Sequence, residues 1–332
     1  MINSFVPPKV SVLMAVRNGE KFLREAMDSI LAQTFFDFEF VIVDDGSTDD
    51  TDNILHSYTD SRIIMLKNEE SIGLTRSLNL GLNKTQGEYI ARMDADDISL
   101  SHRLTAQVCF LDQNPQVGVV GTAACLIDPN NTLGQIVQYP EYHDVLQWIM
   151  CFFENPIIHP SVMFRSSLVK SLGGYNETYQ TSQDYELWHR ALKITQLANV
   201  QDVCLQLRKH EDNISQTRYS QQQNASLEIS AAIMSDIMKQ NVPPQKLQRY
   251  CKFIWSGEKV PRHEVLDIGK IVFKLSKIVL SNSQTVEYVR HWISMDAIKK
   301  LKSLTLEVKL SLFDRVMFNY FLRVLSKTLK EF

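Results

Sequence analysis

The chain is sparing in the residues that build special architectures. Its five cysteines (Cys109, Cys125, Cys151, Cys204 and Cys251) are odd in number, widely spaced and form no CxxC pair. That pattern excludes a disulfide framework or a zinc site and points to a reducing compartment; the thiols are expected to serve as buried small hydrophobes. With 12 Gly and 10 Pro in 332 residues, collagen-like and linker-dominated chains are excluded. No stretch reaches the roughly 18 uninterrupted apolar residues of a membrane-spanning helix, and even Ile268–Leu280 is broken by Lys270, Lys274 and Lys277. The opening MINSFVPPKVSV has no basic segment leading into an apolar run, so no secretory leader is expected. Absence of GxGxxG and Walker motifs removes support from dinucleotide oxidoreductases and P-loop NTPases; GxSxG and HExxH are missing as well. A net charge of −3 argues against a globally basic nucleic-acid binder.

What is present is core-forming residue. Hydrophobic residues make up 44%, with 16 Phe, 11 Tyr and 4 Trp, enough apolar surface to offset the cost of ordering a chain. The near-neutral charge conceals an asymmetry: residues 270–332 carry a balance of +7 and residues 1–269 one of −10. A soluble cytosolic protein with a basic tail is expected.

Val10–Val16, Phe38–Val43, Arg62–Lys67 and Glu88–Met93 are short apolar runs without helical period, which reads as buried strands. Between them, Glu20–Thr34, Asp49–Ser57 and Leu74–Leu82 carry helical spacing, and Arg103–Leu111 adds a further helix before a strand at Val117–Gly121. Alternation at these intervals implies βαβ units and an α/β fold with a mostly parallel sheet, covered on both faces. Beyond about residue 220, Leu227–Met238, Gln245–Trp255, Leu266–Leu280, Val286–Ile293 and Leu312–Leu329 are amphipathic helices. The chain therefore divides into an α/β domain over 1–220 and an α-helical region over 221–332.

Ligands of such sheets sit beyond the carboxyl ends of the strands, and two acidic clusters fall there: Asp44-Asp45 and Asp94-Ala95-Asp96-Asp97. Carboxylates this close raise one another's pKa unless a cation neutralises them. Hard oxygen ligands suit Mg²⁺ or Mn²⁺, which bridge carboxylates to substrate phosphates. In extended backbone, Asp94 and Asp96 fall on one side. As an isolated motif the cluster is equally an acidic turn capping a helix near Ser99; its place after a buried strand, near a second acidic strand end, favours the metal. Asp44-Asp45-Gly46-Ser47 is a turn in which Ser47 or Thr48 would cap a helix, and a carboxylate there can also accept from a nucleobase N–H or a ribose hydroxyl.

Taken in order, VSVLMAVRNGEKFLREAMDSILAQTF, VIVDDGSTDDT, GEYIARMDADDIS, HPSVMFR, GGYNE and QDYELWHRA resemble a family 2 glycosyltransferase of the GT-A fold, over residues 8 to about 220. The resemblance implies inverting transfer of a sugar from a nucleoside-diphosphate donor, typically a UDP-sugar, to a hydroxyl of a saccharide or lipid-linked saccharide. It also implies a role in cell-surface polysaccharide synthesis: capsule, O-antigen or lipopolysaccharide. Asp45 would bind the base, with Ala15 and Arg17 lining its pocket. Gly73, Arg76 and Asn79 would lie near the donor, as would Ala95 within the DxD. Asp94 and Asp96 would hold Mn²⁺ or Mg²⁺, completed by His210; Asp184 would be the catalytic base and Trp188 would pack on the acceptor side. His159 reads as a packed loop histidine. Two departures stand out: Arg17 replaces a frequent Tyr, so a guanidinium would stack on the base instead, and His102 replaces a frequent proline before Arg103. The basic tail, with Lys299, Lys300, Lys302, Lys309 and Arg315 among its charges, would lie on an anionic membrane surface, pack on the catalytic domain, or form a homodimer. A non-catalytic sugar-nucleotide binder is disfavoured by the survival of Asp94, Asp96 and Asp184. A metal-dependent nuclease would have no use for the Asp45 region, and no nucleic-acid partner is expected.

Overall fold

The computed structural model describes residues 6–211, 213, 217–248, 262–282, 296 and 299. The chain packs as two units, Met1–Glu141 with Pro156–Gln222, and Tyr142–Asn155 with Gln223–Phe332.

The first unit is built on β1 (Val10–Val16), β2 (Phe38–Asp44), β3 (Ile63–Lys67) and β4 (Tyr89–Met93), with α1 (Leu23–Leu31), α2 (Thr51–His56) and α3 (Leu74–Leu82) as connections. Every residue of β1, β2 and β4 is buried, which explains why these strands read as largely apolar, with Ser11, Glu39 and Arg92 among their buried polar members. Alternate β1 side chains serve opposite faces. Val10, Val12, Met14 and Val16 join a core with Leu23, Ala26, Met27 and Ile30 of α1. On the other face Leu13 meets α3 at Gly81, where an added Cβ would lie 2.3 Å from the Leu13 Cδ1. Ile30 is fully buried and holds α1 to the sheet.

The parallel core expected from the sequence occupies the order β3-β2-β1-β4. Beyond it the sheet becomes mixed, through β5 (Ile98–Ser99), β6 (Val117–Ile127), β7 (Leu133–Val137), β8 (Met163–Arg165) and β9 (Gln196–Arg208). β8 pairs antiparallel with both β4 and β6, β9 runs parallel to β6, and β5 pairs antiparallel with the end of β9. β6 extends well past the Gly121 limit read from periodicity. β9 was not anticipated, because its exposed and buried positions follow neither a clean alternation nor a continuous apolar run. The helices α4 (Arg103–Gln113), α6 (Ser166–Ser171) and α7 (Gln183–Ala191) complete this unit. Neither Ser47 nor Thr48 caps α2: that helix starts at Thr51, whose N–H donates to Asp49, while the Ser47 hydroxyl accepts from the Asn18 N–H.

In the second unit, α5 (His143–Met150), α8 (Tyr219–Met238) and α9 (Arg262–Asn282) are the described helices. The Ser230 hydroxyl of α8 donates to the Met150 carbonyl and accepts from the Phe153 N–H. Trp148 donates its indole N–H to Asp296 at 2.7 Å. On α9, Ile268, Val272, Leu275 and Val279 are buried at helical spacing, as the amphipathic pattern implies. The helices read at Val286–Ile293 and Leu312–Leu329, and most of that at Gln245–Trp255, lie outside the described residues. No described helix is long and apolar enough to cross a membrane. Among the cysteines, Cys151 and Cys204 are buried as expected, but Cys109 is exposed on α4 and Cys125 half-buried; Cys251 lies outside the described residues.

Truncating Ile30 to Ala should cost about 2–5 kcal/mol through lost burial and the cavity left behind. The check is a lowered urea midpoint, with an unchanged midpoint contradicting the assigned core position.

Candidate active site

β1, β2 and β4 end side by side. Register pairs Val16 with Asp44 and Met14 with Met93, so the segments starting at Arg17, Asp45 and Asp94 leave the sheet at one edge. A cavity of about 530 Å³ opens there, walled by Ala15, Arg17, Asp45, Gly73, Asp94, Ala95, Asp96 and His210. Asn18, Lys21, Phe22, Ser71, Gln180 and Arg218 complete it; none of these was singled out from the sequence.

Asp45 is buried, and both of its oxygens are occupied. Oδ1 accepts from Asn68 Nδ2, the Ile72 N–H and Ser77 Oγ, and Oδ2 from Ser71 Oγ and the Gly73 N–H, all at 2.8–2.9 Å. Burial works against the charge, yet these donors outweigh it and hold the carboxyl below its ordinary pKa. The carboxylate therefore organises the loop between β3 and α3. Gly46 makes the arrangement possible: its φ is +65° and a Cβ would lie 2.7 Å from the Ser71 backbone nitrogen, so no side chain fits.

The cluster after β4 is assembled from distant parts of the chain. One oxygen each from Asp94, Asp96 and Asp97 lies within 4.8 Å of the others. Asp94 is ion-paired with Arg92, which is itself 1% exposed. Asp96 Oδ2 lies 2.9 Å from His210 Nε2 and accepts from Asn213 Nδ2 at 3.1 Å. Asp97 is buried and accepts from the Arg208 N–H at 2.8 Å, leaving its second oxygen without a hydrogen-bond donor. Burial first and the neighbouring carboxylates second push the pKa of Asp96 up and that of Asp97 well up. β9 is what brings His210 here: Ile98 pairs with Gln206, so the residues following Arg208 return over the DxD. Arg208 fixes that return by donating to the Asp96 carbonyl, Asn131 and Glu25. Phe22 is the shared support, with the Arg208 guanidinium 4.4 Å from its ring centre, Lys21 Nζ at 4.9 Å and the His210 ring at 5.3 Å.

These groups fit a hard divalent cation. Carboxylate oxygens with one imidazole nitrogen are donors that Mn²⁺ and Mg²⁺ accept, and a dication relieves the crowding that raises Asp96 and Asp97.

A second cavity of about 340 Å³ shares Leu74, Asp94 and Asp96 with the first. Asp184 lies in its wall with Arg92, Asp97, His159, Gln183 and Lys209. It belongs to the first turn of α7, after Ser182 in left-handed backbone at φ 58°. The surrounding protein raises the Asp184 pKa, against the opposing effects of the Tyr185 N–H and Arg92. His159 is packed as read, its Nε2 2.9 Å from the Tyr175 hydroxyl, and it also forms part of this wall. Burial and then Arg92 hold its pKa well below the ordinary value.

Three sequence-derived positions line neither cavity. Trp188 is fully buried between Phe164 and His159, with its indole N–H unsatisfied. It packs behind His159, which forms part of the smaller cavity's wall. Arg76 pairs with Glu177 on the surface. Asn79 donates to the Tyr175 carbonyl and accepts from the Tyr175 N–H, anchoring the GGYNE loop.

A profile of the family described as Glycosyl transferase family 2 matches residues 11–172. The chain is 35% identical over 187 residues to the O-antigen biosynthesis glycosyltransferase WbnJ of Escherichia coli, covering 55% of this chain and 71% of the relative. Among solved structures it resembles S. aureus TarS 1-349 in complex with UDP-GlcNAc, with a TM-score of 0.58, 19% identity and 89% of both chains covered. It also resembles the mannosyltransferase PcManGT of Pyrobaculum calidifontis in complex with GDP-Man and Mn²⁺, with a TM-score of 0.52, 18% identity and 91% of this chain against 87% of the other covered. At such identities these structures establish the shared GT-A fold.

Asp45→Asn replaces an acceptor by an amide donor facing other donors, and should cost roughly 1–3 kcal/mol at pH 7. Because the folded pKa is depressed, the stabilisation is present above the unfolded value of about 3.9 and is lost as pH falls through the folded one. Urea midpoints of wild type and variant should therefore converge below about pH 4; a gap that stays constant to pH 2 would contradict the role.

Proposed function

The chain belongs to glycosyltransferase family 2, and from that premise we propose that it moves a sugar from a nucleoside-diphosphate donor to a saccharide hydroxyl by single displacement with inversion. The observation that carries this reading is the shared wall: Asp94 and Asp96 line both cavities. A donor in the larger cavity and an acceptor in the smaller would meet at these two carboxylates.

The base lies at the end formed by Ala15, Arg17 and Asp45, where a base N–H competes with the Ser71 hydroxyl for Asp45. Uridine is favoured by the resemblance around Asp45, and the TarS complex with UDP-GlcNAc supports it, whereas PcManGT holds GDP-Man. Asp94, Asp96 and His210 would hold Mn²⁺ or Mg²⁺, which supplies electrostatic stabilisation of the departing diphosphate. Lys21 and Arg218 add positive charge to the same cavity. Asp184 faces the acceptor from the smaller cavity, and its raised pKa suits a group that must take a proton from a hydroxyl. The anomeric carbon is attacked on the face opposite the leaving diphosphate, so the bond to the acceptor oxygen forms as the bond to phosphate oxygen breaks. The proton passes to Asp184. No covalent enzyme intermediate is required. The name of the E. coli relative supports a role in cell-surface polysaccharide synthesis, and the basic sequence after residue 270 supports work at an anionic membrane surface, on its cytoplasmic side.

Incubation with Mn²⁺ and a panel of sugar nucleotides should release nucleotide diphosphate, faster with acceptor present. Asp184→Asn should lower turnover by about 10²–10⁴-fold with donor affinity retained in calorimetry. Asp96→Ala should remove the Mn²⁺-dependent part of donor binding. Full turnover by the Asp184 variant would exclude it as the base.

A further inference from the structure

Arg92 is a buried cation with work to do. It lies on β4, a central strand, two residues before Asp94, and is 1% exposed. Its Nη1 is ion-paired with Asp94 Oδ2, while Nε and Nη1 find no hydrogen-bond acceptor of acceptable geometry. A structural arginine is normally satisfied by carbonyls. In this unit Arg103 donates to Gln107 and to the Arg92 and Val162 carbonyls, and Arg165 to the Val117 and Leu111 carbonyls. Arg92 instead places its buried guanidinium in an ion pair with Asp94, and it lines the cavity that also contains Asp97 and Asp184.

We propose that Arg92 is a positioning residue: it holds Asp94 by one oxygen beside Asp96, keeping the pair in the arrangement in which the two carboxylates would hold a divalent cation. The inference rests on reading Asp94 and Asp96 as metal carboxylates and assigns a further residue to that site. Two opposing effects decide the outcome. A fixed positive charge beside a cation site weakens binding by repulsion. Orientation of a ligating carboxylate strengthens it, and loss of such an outer partner typically costs 10–100-fold in metal affinity. Asp94 has a 32% exposed side chain, and without Arg92 it is free to turn toward solvent.

The test is Mn²⁺ binding to the full-length protein, followed by electron paramagnetic resonance without any sugar nucleotide, with thermal unfolding measured in parallel. Arg92→Met should bind Mn²⁺ about 10–100-fold more weakly. Arg92→Lys keeps the charge but loses the planar fork, and should show a smaller, several-fold weakening. If the Met variant does not fold, the Lys variant decides alone. Affinity equal to or tighter than wild type in the folded variants overturns the positioning role, while Asp94→Asn and Asp96→Asn still abolish binding. Wild-type affinity in those two Asn variants, or no Mn²⁺ binding by the wild type, overturns the metal reading and this inference together.

Discussion

Like charge crowded at the end of one strand is the constraint on which the site depends. Asp94, Asp96 and Asp97 bring three carboxylates within 4.8 Å of one another, and burial makes their mutual repulsion stronger. The fold answers with partners from three directions: the Arg92 guanidinium on β4 beside Asp94, the Arg208 backbone N–H from β9 on Asp97, and the His210 imidazole from the segment beyond it on Asp96. Each compensation is partial. Asp97 keeps an unsatisfied oxygen, and burial with the neighbouring carboxylates pushes the pKa of Asp96 up and that of Asp97 well up. The cluster is left incompletely neutralised, a charge that a divalent cation would relieve.

The second organising feature is the loop held by Asp45. A carboxylate that accepts five hydrogen bonds is a structural centre, and here it sets the rim of the larger cavity by fixing Ile72 and Gly73. The fold of this loop and the shape of the cavity thus depend on one residue. The same economy appears at Phe22, whose ring supports Lys21, Arg208 and His210 while its backbone opens α1.

The parallel half of the fold was legible because fully buried strands and amphipathic helices leave strong periodic signals, as in Val10–Val16 and Leu74–Leu82. Asp45 and Asp94 were legible for the same reason, since each follows a strand directly; Asp184, in the first turn of α7, was assigned through the resemblance. What could not be read were contacts made over long separations. Asn213 reaches Asp96 across 117 residues, and the ordinary polar pattern of β9 gave no hint that it would carry His210 back. Arg92 stood inside a strand of apolar neighbours, and a charged residue in a buried strand was the available signal. Trp188 and Asn79 were placed by resemblance near ligand, and their packing gives them supporting positions instead. Trp188 packs against Phe164 and against His159, behind the wall of the smaller cavity.

The central claim is that one pair of carboxylates joins a donor cavity to an acceptor cavity. The most direct measurement is a crystal structure with Mn²⁺ and a non-hydrolysable UDP-sugar, using anomalous diffraction to locate the ion. The account predicts the manganese peak on Asp94, Asp96 and His210, the nucleotide in the cavity walled by Ala15, Arg17 and Asp45, and the anomeric carbon turned toward Asp184. Manganese held by other residues, or a sugar facing away from Asp184, would contradict it.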